Sequence, residues 1–267
     1  MQPDKLVKII IPIYTTTLKQ EEWSSIDRCF SLLGKKYEIA FAVPEGLDIE
    51  LLHRRYQNFS VHPFTPSFFK GLEGYNQMML SPEFYKSFLD YEYILIYQTD
   101  AYVFKDDLSA WCLKGYDYIG APWIPKKKYM KWYYHLYFNL KKIYNHLFGA
   151  SDYTRLFYKV GNGGFSLRRV SKFYDISLTD KETISLYLSQ CHRNRFNEDV
   201  FWGIEVNNRE HRLHIPSWRE ALAFSFDKLP EDAFVLHGKQ LPFGCHGWNK
   251  PAMRNFWKNI IPVSTDK

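Results

Sequence analysis

Four short stretches of this chain carry side chains suited to chemistry. In "YILIYQTD" an apolar run closes on Gln98, Thr99 and Asp100, so one carboxylate stands where a buried strand ends, and Asp106 and Trp111 follow it. "NEDVFW" places Glu198 and Asp199 side by side in what reads as the first turn of a helix. Two acids there suit the helix dipole, and either is also a candidate base. The helix end lowers the pKa of such a base, so a raised value requires burial or a neighbouring acid. In "VGNGGFSLRR", Gly161, Gly163 and Gly164 let the backbone approach a ligand closely, and Asn162 offers both a donor and an acceptor. The stretch is neither a P-loop nor a dinucleotide fingerprint, and a tight hairpin is its structural alternative. "CHGWNKP" sets His246 ahead of Lys250; a lone histidine is either a ligand candidate or a packed residue.

The elements that must hold these residues read as α/β. "LVKIIIPIY" is a buried strand, and Thr17 with Gln20 forms a capping box before a helical face of Trp23, Ile26, Phe30 and Leu33 that stops at Gly34. "YEIAFAVP" is a second strand, Asp48 caps a short helix through "IELLHRRY", and "FSVHPF" is a third strand. "GYNQMMLSPEFYKSFLDY" is helical on both sides of Pro82, and "EYILIYQTD" is a central strand covered on both faces. This alternation predicts a mixed, mainly parallel sheet flanked by helices in a single domain. Ligands bind such sheets at the carboxyl ends of the strands, where Asp100 falls, which favours function over a turn. The second half is less regular. It holds "YDYIGAPW", a polar helix near residues 180–193, Asn197 as the cap of the acidic helix, and Ser217 with Glu220 as a capping box before "ALAFSFD".

The composition is that of a folded protein of 267 residues, 46% hydrophobic, with aromatics abundant enough to exclude disorder as its main state. Four dispersed cysteines without CxxC spacing indicate buried thiols, not a zinc knuckle or a disulfide framework. The first apolar stretch is too short to span a membrane and has no cleavage site, so a cytoplasmic location is expected.

"QTDAYVFKDDLSAW" resembles the strand-end motif of GT-A fold glycosyltransferases, particularly the glycogenin-like and lipopolysaccharide sugar transferases, which read D-x-D, apolar residues, then Asp and an aromatic. Gln98 to Asp100 takes the place of D-x-D, with the first acid replaced by an amide; a second register sets Asp100 to Tyr102 against it. "GYNQMMLS", "LIYQTDAYVF", "YDYIGAPW", "GNGGFSLR", "NEDVFW" and "LPFGCHGW" look like a bacterial family of GT-A-like proteins associated with polysaccharide gene sets.

That resemblance implies a nucleotide-sugar donor, UDP-linked by preference, and a divalent cation, manganese or magnesium, held by Asp100 and His246 at the donor diphosphate. It implies Asp199 as base in an inverting reaction, with Glu198 beside it. Pro12, Tyr14, Glu45, Tyr75, Asn76, Gln98, Thr99, Asp100 and Lys250 are implied at the donor, and Gly161, Asn162, Gly163 and Gly164 at the sugar or acceptor. The acceptor is a glycan or lipid-linked saccharide. A non-catalytic glycan- or nucleotide-binding protein of the same fold is the rival reading, to which Gln98 points.

Residues 126–148 hold six lysines, many aromatics and no acid. They are a candidate insertion for peripheral contact with the inner face of a membrane, or a hairpin packed on the core. The overall charge of +6 and the lack of any nucleic-acid signature exclude nucleic acid as the expected partner.

Overall fold

The computed structural model describes residues 4–130, 133, 134, 137, 138, 140, 141 and 153–263. Six strands form the main sheet: β1 (Lys5–Pro12), β2 (Glu38–Pro44), β3 (Phe59–Phe64), β4 (Tyr91–Tyr97), β6 (Tyr118–Ile119) and β7 (Phe165–Arg169), with β5 (Ala101–Val103) lying outside it. Their order is β3-β2-β1-β4-β7-β6. The first four are parallel, whereas β7 runs antiparallel to both β4 and β6, so the sheet is mixed and mainly parallel as expected.

Strand periodicity explains the burial on both faces. Ile9 and Ile11 of β1 join one core cluster with Phe41 and Leu95, while Ile10 joins the opposite cluster with Ala40, Ile94 and Ile96. Alternate residues thus enter alternate layers, and both layers are apolar. The helix Gln20–Leu33 covers the first face with Ile26, Cys29 and Leu33; the helices Gly71–Leu80 and Val170–Thr179 cover the second with Met78, Met79, Phe173 and Ile176. All four cysteines are free and buried.

A second sheet, β5-β9-β8, lies beyond the end of β4, built with β8 (Ser225–Phe226) and β9 (Gly244–His246). β5 pairs antiparallel with β9 and sets Ala101 opposite His246. Trp248 and Trp257 pack this small sheet in a third apolar cluster.

Several local expectations shift. The first capping box belongs to Lys19 and Glu22, because the helix begins at Gln20 and the acid at its third position is Glu22, whose carboxylate accepts from the Lys19 N–H at 2.9 Å. Thr17 instead donates its backbone N–H to Thr15 Oγ1. Asp48 accepts from the Glu50 N–H, one position ahead of the cap residue Ile49. Ser217 caps its helix through the Glu220 N–H, but the Glu220 carboxylate binds Lys114 and Tyr116. The polar helix is Lys181–Ser189, and the helix Val170–Thr179 before it is absent from the sequence reading.

Of the basic aromatic insertion, Phe138 is buried and meets Phe157 edge-on at 5.5 Å, while Tyr133 and Tyr137 are about half exposed. Trp132 and most of the segment lie outside the described residues. Among the described residues no helix is long and apolar enough to cross a membrane.

The glycine loop before β7 is locked from behind. A Cβ on Gly120 would stand 1.9 Å from the Gly161 carbonyl oxygen, and one on Gly161 would enter the Trp123 ring. Gly120→Ala is therefore expected to cost about 1–3 kcal/mol in urea unfolding, and a loss below about 0.5 kcal/mol would show that the loop yields.

Candidate active site

The carboxyl end of β4 turns immediately. The Ala101 N–H donates to the Gln98 carbonyl at 2.8 Å, and the Gln98 N–H donates to the Gly164 carbonyl at 2.9 Å, so the glycine loop is bonded to this turn. The Gly247 N–H donates to the Asp100 carbonyl, which extends the β5–β9 pairing to the turn itself. His246, 148 residues from Gln98 in sequence, is thereby brought over the strand end.

His246 Nε2 stands 3.1 Å from Asp100 Oδ1 and 3.0 Å from Gln98 Oε1. Its Nδ1 faces Asp227 Oδ1 at 3.4 Å and the Asn162 amide at 3.1 Å. Lys250 Nζ reaches Asp100 Oδ2 at 3.0 Å. Asn162 adopts a left-handed backbone, and its Oδ1 accepts from the Gly164 and Phe165 N–H groups, which fixes the loop entering β7. Burial disfavours a charged His246, but Asp100 and Asp227 overcome it and push the imidazole up to about 9. Burial likewise opposes charge on Asp100, yet His246 and Lys250 hold its carboxyl well below the usual carboxylate range. Asp227 is also lowered, its burial outweighed by His246.

The two adjacent acids have different surroundings. Asn197 occupies the cap position of the helix Glu198–Gly203, but its side chain does not cap it; Asn76 Oδ1 accepts from the Glu198 N–H at 2.9 Å instead. The Glu198 carboxylate pairs with Arg168 at 3.1 Å, and both are wholly buried. Arg168 also donates to the Tyr85 hydroxyl at 2.8 Å and to Ser166 Oγ at 3.0 Å. Burial raises the Glu198 pKa, with Arg168 opposing the rise. Asp199 has no such partner: one of its carboxylate oxygens is buried with no hydrogen bond among the described residues. Burial, then Glu198, then Asp227 push Asp199 up to about 7. The helix dipole is outweighed by the burial and acidic neighbours that a raised value requires.

Asp199 lines a cavity of about 270 Å³ with Asn162, Gly163, Gly164, Asp227 and His246. Tyr75 and Gln98 line both this cavity and a larger cleft of about 610 Å³, whose walls include Pro12, Tyr14, Phe68, Thr99 and Asp100. The Tyr75 hydroxyl donates to the Gly163 carbonyl, and Thr99 Oγ1 donates to Glu22. Asn76 and Lys250 belong to the smaller cavity. Two expected residues stand apart. Glu45 is exposed, its N–H bonded to the Phe64 carbonyl, and it lines neither space; Gly161 supports the loop against Trp123 and Gly120. Asp106 is paired with Lys36, and Trp111 is buried in the core. Asp227, Arg168 and Glu22 escaped the sequence reading. Asp227 had a signal, since "AFSFD" also ends an apolar run on a carboxylate.

With this geometry the chain is similar over almost its whole length to solved glycosyltransferases. The galactosyltransferase LgtC, solved with donor and acceptor sugar analogs, shares 11% identity and a TM-score of 0.55, covering 97% of each chain. Mouse xyloside xylosyltransferase 1, in its apo form, shares 11% identity and a TM-score of 0.52, covering 93% of this chain and 99% of that one. The fold is that of the GT-A glycosyltransferases. Residues 58–246 match the family described as "Protein of unknown function (DUF5672)", and the chain belongs to that family. No curated protein sequence matches it.

Arg168→Met is expected to leave Glu198 buried without its counter-charge and to cost about 3–5 kcal/mol near neutral pH. A carboxyl whose folded pKa is raised loses stability as pH climbs from its unfolded value through its folded one. The deficit should therefore shrink at pH 5 relative to pH 7.5 in urea melts, and a deficit independent of pH would argue that Glu198 is not the orphaned group.

Proposed function

We propose that the protein is a glycosyltransferase that moves a sugar from a nucleotide-sugar donor, UDP-linked by preference, to a glycan or lipid-linked saccharide in cell-surface polysaccharide synthesis. The observation that carries this reading is Asp199: a half-buried carboxylate with one buried oxygen unbonded among the described residues and a pKa pushed up to about 7, in a small cavity that shares Tyr75 and Gln98 with a cleft at the strand ends. The GT-A fold of the chain supports it.

In this reading the larger cleft takes the nucleotide, with its base against Pro12, Tyr14 and Phe68. The diphosphate lies toward Asp100, His246 and Lys250, and the sugar lies toward Gly163 and Gly164, which line the smaller cavity. Asp199 accepts the proton of the acceptor hydroxyl as its oxygen attacks the anomeric carbon, and the nucleoside diphosphate departs on the opposite face. A base with a pKa near the working pH is both available and strong enough to act. The Lys250 ammonium offsets charge gathering on the leaving group.

A divalent cation, manganese or magnesium, would be held by Asp100 and His246 once His246 gives up the proton that the two carboxylates favour. Gln98 Oε1 and Asp100 Oδ1 each lie about 3 Å from His246 Nε2, the spacing of neighbouring ligands around a hard cation with bonds of about 2.1 Å. Gly164 keeps the place clear, since a Cβ there would stand 2.1 Å from Nε2. Among the described residues no three His, Cys, Asp or Glu side chains are grouped to hold a metal, and the Gln98 amide is the further protein oxygen that would complete the pair. When bound, the cation would neutralise the diphosphate oxygens. The same amide favours a second reading, a nucleotide- or glycan-binding protein without turnover.

Thermal-shift titration separates nucleotide binding from its absence: uridine diphosphate with manganese is expected to raise the melting temperature by several degrees, and no shift with any nucleotide would sink the glycosyltransferase and leave only the glycan-binding form of the second reading. Turnover separates the two. Asp199→Asn is expected to cut kcat about 10²–10⁴-fold while leaving donor affinity intact, and the wild-type rate should rise with pH through about 7. Donor binding without turnover in the wild type would select the non-catalytic reading.

A further inference from the structure

A larger cleft lies at the C-terminal end of the helix Glu198–Gly203, and nothing in the proposed reaction uses it. Its volume is about 900 Å³, and its lining includes Arg155, Lys159, Lys172, His211, Arg212 and His214 against one acid, Asp117. That acid is already satisfied, with Arg169 Nε at 2.8 Å and the His214 N–H at 2.8 Å. Arg212 is balanced by Asp180. Lys159 and Lys172 have no ion pair among the described residues, so the cleft carries surplus positive charge. Lys172 stands in the first turn of the ten-residue helix Val170–Thr179, which has no side-chain cap, so the orphan N–H groups of that turn add to the positive end. Trp218 and Tyr158, their rings 5.1 Å apart, form an apolar wall of the same cleft.

We propose that this cleft binds the phosphate-bearing end of a saccharide, which makes it the anchor for a phosphorylated acceptor. The assignment to an acceptor rests on the glycosyltransferase reading; the phosphate chemistry does not. Convergent ammonium, guanidinium and imidazole donors beside a helix N-terminus match phosphate oxygens, and the aromatic wall matches the less polar face of a sugar. The two spaces share no lining residue but are built on the same helix and the same loop. Gly203 lines the cleft and Asp199 the small cavity, about 6 Å apart along one helix. Val160 and Asn162 do the same along the loop, about 7 Å apart. The helix and the loop are close-packed between the two spaces, since a Cβ on Gly203 would stand 2.2 Å from the Val160 carbonyl oxygen, so a saccharide held by its phosphate in the cleft reaches the base around this wall and not through it.

The test titrates inorganic pyrophosphate calorimetrically into protein saturated with uridine diphosphate, comparing wild type with Lys159→Glu/Lys172→Glu. Both lysines are exposed and stand outside the catalytic constellation, so the fold should survive. The expected result is pyrophosphate binding that weakens at least tenfold in the double variant and falls with added salt, while the affinity for uridine diphosphate changes less than twofold. Pyrophosphate affinity equal in the two proteins, or no binding in the wild type, overturns the proposal. Sedimentation with phosphatidylglycerol vesicles distinguishes the source: vesicle binding that needs these lysines, without pyrophosphate binding, would make the cleft a membrane contact and overturn the acceptor anchor. If uridine diphosphate itself fails to bind, the glycosyltransferase reading falls, and pyrophosphate alone still decides the cleft.

Discussion

One imidazole between two carboxylates holds the strand end together. His246 arrives on a short strand from the C-terminal part of the chain and lies between Asp100, at the end of β4, and Asp227, at the end of β8. Each carboxylate alone would resist burial; with the imidazole between them, both stay charged and so does the ring. The small β5-β9-β8 sheet, the turn at Gln98 and the loop at Asn162 all bond to this point. An open strand edge becomes a walled site.

The second organising contrast lies between neighbours in sequence. Glu198 and Asp199 share a helix turn, yet Glu198 turns inward to Arg168 and Asp199 lines a cavity with one oxygen unbonded among the described residues. A fixed charge pair beside an unsatisfied carboxyl gives two adjacent acids opposite surroundings. The Glu198 charge does not vanish from the site, since it is among the groups raising the Asp199 pKa.

How much of this could be read beforehand depends on whether a residue's role is local. The strands were legible because both faces of β1, β2 and β4 are covered, which leaves continuous apolar runs in the sequence. Asp100 was legible because position after such a run is itself a site signal. Arg168 was not: an arginine pair ending a strand reads as surface, and only the fold shows that one member is wholly buried against Glu198 while Arg169 meets Asp117 and Glu92. Capping was misread where the cap came from elsewhere, as when Asn76 supplies the acceptor that Asn197 was expected to provide. Glu45 follows a strand as Asp100 does, but on β2, and it lines neither cavity.

The pairing of β5 with β9 also sets a timetable. Contacts between residues so distant in sequence form late, after the chain between them has been ordered, because closing a long loop costs entropy before any contact repays it. The main sheet through β4 can assemble while Asp100 has neither His246 nor Lys250 beside it. A partly made chain therefore presents the strand edge without the histidine and lysine that wall it.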